Sequence, residues 1–210
     1  MILILSISVS TLQRQGFGHY AWDNGDSYAG KWENGRTTGR GVKSLVVRSQ
    51  GRGNCAANQD EDNTQMLSQG DTAEVYNGQL DCDVAHGDGV KHYACGDEYY
   101  GSFQCDKRHG CGVYTWSNGD VYEGDFVDGF CSGQGMKRMV NGDVFDGEWL
   151  EDKTSGYGVK TFANGCVHLG YYHNDERHGH GLFRWANGDE YEGDFVDGDQ
   201  CGFGQYRYVS

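Results

Sequence analysis

Residues Tyr122–Gly135 read YEGDFVDGFCSGQG, and Tyr191–Gly204 read YEGDFVDGDQCGFG. Each holds an aromatic-x-Gly-x-aromatic stretch, a polar-Gly turn and a Gly-x-Gly pair. Alternation puts the two aromatics and the glycine between them on one face of a strand. Glycine between two rings leaves room for a third, which predicts ring-over-glycine stacking from repeat to repeat. The same strand recurs at Tyr28-Gly30-Trp32 and Tyr99-Gly101-Phe103, and in looser form at Tyr76-Gly78-Leu80, Phe145-Gly147-Trp149 and His168-Gly170-Tyr172.

The Gly-x-Gly pair sets the period. It falls at Gly16/Gly18, Gly39/Gly41, Gly87/Gly89, Gly110/Gly112, Gly133/Gly135, Gly156/Gly158, Gly179/Gly181 and Gly202/Gly204. The step is 23 residues, except for one step of 48 between Gly39 and Gly87. After the pair comes a large residue (Trp22, Tyr93, Trp116, Met139, Phe162 or Trp185) and then a turn such as Asn24-Gly25-Asp26, Asn118-Gly119-Asp120 or Asn187-Gly188-Asp189. Asn-Gly predicts a type I′ hairpin, because both central residues of that turn need positive φ. A second turn closes the first strand, as in Glu33-Asn34-Gly35, Val127-Asp128-Gly129 and Val196-Asp197-Gly198. Strand, turn, strand, turn predicts an all-β fold: an elongated, single-layer antiparallel meander of about eight 23-residue hairpins over residues 1–210. At ~10 Å per hairpin the ribbon would reach roughly 75 Å.

Two departures stand out. Residues 1–27 hold a degenerate first unit, in which Leu5, Ile7 and Val9 keep the phase and read as a capping edge strand. Residues 42–75 contain about 25 extra residues, read as an insertion loop with Met66 and Leu67 as docking anchors. Regular repeats fill 76–210.

Composition agrees. Glycine supplies 35 residues and proline none, while 13% of residues are aromatic, so the glycines belong to a folded chain. A formal charge of −14 argues against nucleic acid and anionic lipid as first partners. The eight cysteines show no CxxC pair and no zinc-ligand spacing, which predicts scattered reduced thiols in an intracellular protein rather than a secreted one.

The consensus Y-x-G-x-W/F-x-x-G-x-x-x-G-x-G followed by N-G-D-x-Y resembles the MORN repeat (membrane occupation and recognition nexus). Asp106–Gly112 and Glu176–Gly181 resemble its basic-His-Gly-x-Gly end. The resemblance covers nearly the whole chain. It implies a non-enzymatic scaffold or adaptor, an accessory or structural subunit of a eukaryotic cytoskeletal, ciliary or organellar assembly. The alternative it carries is a peripheral module that binds phosphoinositides, against which stand the negative charge and the scarcity of basic pairs beyond Lys107/Arg108 and Lys137/Arg138.

No G-x-S-x-G, Walker A or H-E-x-x-H motif is present. The Gly-x-Gly pairs recur at fixed period with no helix after them, so they are not dinucleotide loops. His86, His109 and His178 share a repeat position, and ~10 Å separates that position from one unit to the next, too far for such histidines to share a metal. Glu123/Asp125/Asp128 and Glu192/Asp194/Asp197 read as a solvated strand face rather than a calcium site. The reading is therefore no enzyme, no cofactor and no metal. Partner binding is expected at Tyr99, Trp116, Tyr122, Phe126, Trp149, Trp185 and Tyr191, where a helix or extended peptide would lie along the aromatic face. The sheet edges are open to strand pairing or homodimerisation.

Overall fold

The computed structural model describes residues 13–47 and 72–209. Leu5, Ile7, Val9, Met66 and Leu67 lie outside them. The described residues form strands and turns only. The strands are β1 (Gly16–Ala21), β2 (Ser27–Glu33), β3 (Arg36–Val47), β4 (Thr72–Asp81), β5 (Val84–His92), β6 (Glu98–Gln104), β7 (Lys107–Thr115) and β8 (Val121–Val127). They continue as β9 (Phe130–Arg138), β10 (Val144–Leu150), β11 (Lys153–Thr161), β12 (Val167–His173), β13 (Glu176–Arg184), β14 (Glu190–Val196) and β15 (Asp199–Arg207). They pair in chain order in one open antiparallel sheet. By compactness the chain divides into two units, 1–112 and 113–210.

Within each unit glycine faces glycine across the strands. In the first, Gly18 opposes Gly30, Gly30 opposes Gly41, and the row continues through Gly78 and Gly89 to Gly101. In the second the row runs from Gly124 through Gly135, Gly147, Gly158, Gly170 and Gly181 to Gly193 and Gly204. Over this groove lie the rings. A Cβ on Gly135 would come within 2.2 Å of the Tyr122 hydroxyl, and one on Gly124 within 2.7 Å of it. Ring-over-glycine packing is therefore present, but the ring belongs to the same repeat as both glycines, not to a neighbour. The tyrosine hydroxyl crosses the groove and donates to a carbonyl three residues on, as in Tyr76 to Gln79 (2.7 Å), Tyr99 to Ser102 (3.0 Å) and Tyr122 to Asp125 (3.0 Å). This occupies an acceptor at the point where the ladder slips, beside the left-handed first glycine of the pair, Gly133 at φ 107°.

Repeat-to-repeat packing comes from edge-to-face rings. Tyr122 meets Phe126 at 5.2 Å and Trp149 of the next repeat at 5.1 Å. Phe145 likewise meets Trp149 and Tyr172, and His168 meets Tyr172 and Phe195. In the first unit Phe103 is shared by Tyr76 and Tyr99, each at 5.0 Å.

The Asn-Gly turn departs from the geometry expected of it. At Asn118-Gly119 only glycine has positive φ; Gly119 N–H donates to the Trp116 carbonyl, and Trp116 N–H to that of Asp120. This is a type I turn with a left-handed glycine, not the type I′ turn expected. The asparagine is kept because its Oδ1 accepts the Asp120 amide at 2.9 Å. The type I′ geometry is found at the other turn, where both residues have positive φ: Asn34/Gly35, Glu151/Asp152 and Asn174/Asp175. The insertion follows a hairpin arm longer than the rest, paired from Gly39↔Leu80 to Val47↔Thr72. Of the cysteines, Cys95 is disulfide-bonded, a departure from the reduced set expected; Cys82, Cys105, Cys111, Cys131, Cys166 and Cys201 are free.

Candidate functional site: a half-buried aromatic ridge

The seven aromatics expected to bind a partner separate into two groups. Tyr99 and Tyr122 are 0% exposed, Phe126 1%, Tyr191 3% and Trp149 7%. Tyr99 packs on Phe103 in the first unit, and Tyr122, Phe126, Trp149 and Tyr191 belong to the ring packing of the second, so their surface is spent on the chain's own packing. A single sheet was expected to leave its aromatic row uncovered; the rings instead lie down across the glycines and cover one another. Burial lifts the Tyr122 hydroxyl well above its ordinary pKa and Tyr76 up to about 12, so both remain neutral donors. Trp149 is held further by its indole N–H donating to the Gly135 carbonyl at 2.9 Å.

Trp116 and Trp185 are different. Both are half-buried, as are Met139 and Phe162 at the same repeat position between them. All four open the Asn-Gly turn, and both backbone bonds of that turn run through them. Spacing along this ridge is set by carboxylates. Asp120 Oδ1 accepts the amide of Val140, and Asp143 Oδ1 that of Ala163, each at 2.9 Å. Each bond ties one turn to the residue just after the next ridge side chain. Cys166 stands where the next aspartate would be. Lysines rise between the rings: Lys137 Nζ is 4.2 Å from the Trp116 ring centre and 3.6 Å from Asp120, and Lys160 Nζ is 5.0 Å from Phe162. Burial alone would raise the Asp120 carboxyl; the Val140 amide, Asn118 and Lys137 outweigh it and hold the carboxyl below its usual range.

Comparison with protein families matches the MORN repeat at 13–27, 28–45, 99–121, 122–144, 145–167, 168–190 and 191–210. The chain belongs to the MORN-repeat family. The matches omit 76–98, yet β4 and β5 carry the same MORN architecture there, with the Tyr76 ring over Gly78 and Gly89. No curated protein matches this MORN chain. No helix of the described residues is long and apolar enough to cross a membrane.

The face opposite the zipper is acidic and exposed at Glu123, Glu192 and Asp194, as the alternation implied. Sequence reasoning missed an apolar interruption there. In β12, Leu169 and Tyr171 occupy the places that Glu192 and Asp194 hold in β14, and Tyr171 packs on Tyr157 at 5.4 Å. Comparing repeats position by position was the signal that would have found it. On the same face His180 lies 3.3 Å from Asp194, while His178 faces Asp197 at 3.7 Å. Among the described residues no group of three or more His, Cys, Asp or Glu is arranged to hold a metal ion.

Proposed function

We propose that this MORN-repeat protein is a non-enzymatic scaffold or adaptor that binds a protein partner along the Trp116–Met139–Phe162–Trp185 ridge. The observation that carries the reading is the split between the aromatic rows: one is consumed by the fold, and the other is half-open and held at fixed spacing. Tryptophan beside a polar rim is the side-chain type most often found anchoring interfaces. A helix or extended segment running across the repeats would meet one ridge residue per hairpin. The reading extends to an accessory or structural subunit of a larger assembly inside the cell (cytoskeletal, ciliary or organellar), as the resemblance to other MORN scaffolds implies. The charge of −14 weighs against the alternative, a phosphoinositide-binding peripheral module.

The test is affinity capture from native lysate with the parent chain and with Trp116→Ala/Trp185→Ala. Neither backbone turn bond needs the indole, so the variant should keep its β-sheet circular dichroism. Loss of a stoichiometric partner from a folded variant supports the reading. Unchanged recovery, or flotation of the parent chain with phosphoinositide vesicles at physiological salt, overturns it.

A further inference from the structure

The type I′ turns are locked to the preceding repeat in two ways. In four places the second turn residue is aspartate, and its Oδ1 accepts a backbone amide of that repeat. The pairs are Asp83 with Thr37 (2.7 Å), Asp106 with Ala85 (2.6 Å), Asp152 with Cys131 (2.7 Å) and Asp175 with Thr154 (2.8 Å). In each of these repeats a lysine lies six residues after the amide: Lys43, Lys91, Lys137 and Lys160. In three other places the turn residue is glycine, and everything around it changes together. The sets are Arg14-Tyr20-Trp22-Gly35, Arg108-Tyr114-Trp116-Gly129 and Arg177-Phe183-Trp185-Gly198. Arginine replaces the small residue, an aromatic replaces the lysine, and tryptophan takes the ridge position. Three of the chain's five tryptophans fall in these sets.

The backbone half of the lock survives the exchange. Gly35 N–H donates to the Arg14 carbonyl and Gly198 N–H to that of Arg177, each at 3.0 Å, as Asp152 N–H does to Cys131. The carboxylate half is gone, because glycine has no side chain to return to the Arg177 amide. The guanidinium stands beside the vacated position. Arg177 lies 5.1 Å from the Phe183 ring centre and 5.2 Å from that of Phe195, and its Nη2 donates to the Gly198 carbonyl. Arg14 lies 3.5 Å from the Tyr20 ring centre. Among the described residues neither arginine is ion-paired with a carboxylate. A pocket opens at each place: 520 Å³ lined by Arg177, Phe183, Trp185, Gly198, Asp199 and Gln200, and 260 Å³ at Arg14, Trp22, Trp32 and Gly35. In the smaller one Asp83 is already committed to the Thr37 amide.

This turn lacks the aspartate that the other repeats carry: the Arg177 guanidinium donates to the Gly198 carbonyl there, and the Phe183 and Trp185 rings wall the pocket. We infer that the Arg177–Trp185–Gly198 pocket takes an aspartate or glutamate side chain from an acidic partner segment, with a neighbouring apolar residue on Trp185, and that Arg14–Trp22–Gly35 repeats the site. Charge-assisted bonds to a planar guanidinium suit a carboxylate in this geometry. The inference deepens the adaptor reading by giving the partner's chemistry, but it is read out directly at the pocket, so its failure leaves the ridge experiment standing.

The test uses the full ¹⁵N-labelled chain titrated with the blocked peptide acetyl-Ser-Asp-Phe-Ser-amide and with its Asn counterpart. Saturable shifts are expected at the Arg177 and Gly198 amides and the Trp185 indole, with at least tenfold weaker binding of the Asn peptide. Gly198→Asp rebuilds the internal lock at a φ of 86°, close to the 77° that Asp83 adopts. It should abolish the shifts while leaving the melting temperature unchanged or higher. Absence of shifts, equal binding of both peptides, binding that survives Gly198→Asp, or tighter binding of inorganic phosphate than of the acidic peptide would overturn the assignment.

Discussion

At the residue scale the fold rests on pairs of glycines that cannot grow. A methyl on Gly135 would overlap the Tyr122 hydroxyl at 2.2 Å and its Cζ at 2.4 Å, and the ring has nowhere to retreat because Trp149 and Phe126 flank it. Gly135→Ala is expected to cost about 3 kcal/mol in urea unfolding, through displacement of that ring. His168 is the exception among the groove rings. It is fully buried, its Nδ1 is 2.7 Å from the Tyr172 hydroxyl, and its Nε2 has no partner among the described residues. Burial, helped by the nearby Arg177 charge, lowers its pKa from 6.5 to about 4. A histidine depressed in the folded state binds its proton more readily when unfolded. Its stabilising contribution is therefore complete above pH 6.5 and is lost as pH falls from there toward 4. His168→Phe, which copies Phe145 at the same position, should flatten the decline in melting temperature between pH 6.5 and 4. An unchanged acid limb would remove the titration from His168.

At the element scale the hairpins are held by carboxylates at their tips. Asp175 has a φ of 72°, and it accepts the Thr154 amide at 2.8 Å while its own amide donates to the Thr154 carbonyl. Asp175→Ala loses the accepted bond and places a Cβ in the left-handed region, so a loss of about 2 kcal/mol is expected from chemical denaturation. Asp175→Gly loses the same bond without that backbone cost and should fall by about 1 kcal/mol less. If both variants lose equally, φ contributes nothing. These tips also show why a motif does not fix a turn. Asn118-Gly119 has the type I′ composition, yet five-residue closure from Trp116 to Asp120 requires positive φ only at glycine.

At the scale of the whole chain, the period did most of the predictive work. A step of 23 residues, an aromatic-Gly-aromatic strand and two turns per unit are enough to specify a sequential antiparallel meander, because each short connection can reach only the adjacent strand. The repeat at 76–98 was legible from phase alone, and it folds as the others do although Leu80 stands where they carry an aromatic. The candidate site was legible only in part. Trp116 and Trp185 remain accessible, whereas Tyr99, Tyr122, Phe126, Trp149 and Tyr191 are core.

Strand order and the residues that share a face follow from periodicity and turn chemistry along one chain, so both are present in the sequence. Tertiary structure decided which rings lie flat over glycine and which stand half-open, because exposure depends on what the next repeat brings against each ring. What a turn residue holds is likewise a matter of packing: Asp175 reaches back to the Thr154 amide, whereas at Gly198 the Arg177 guanidinium reaches across to the turn carbonyl instead.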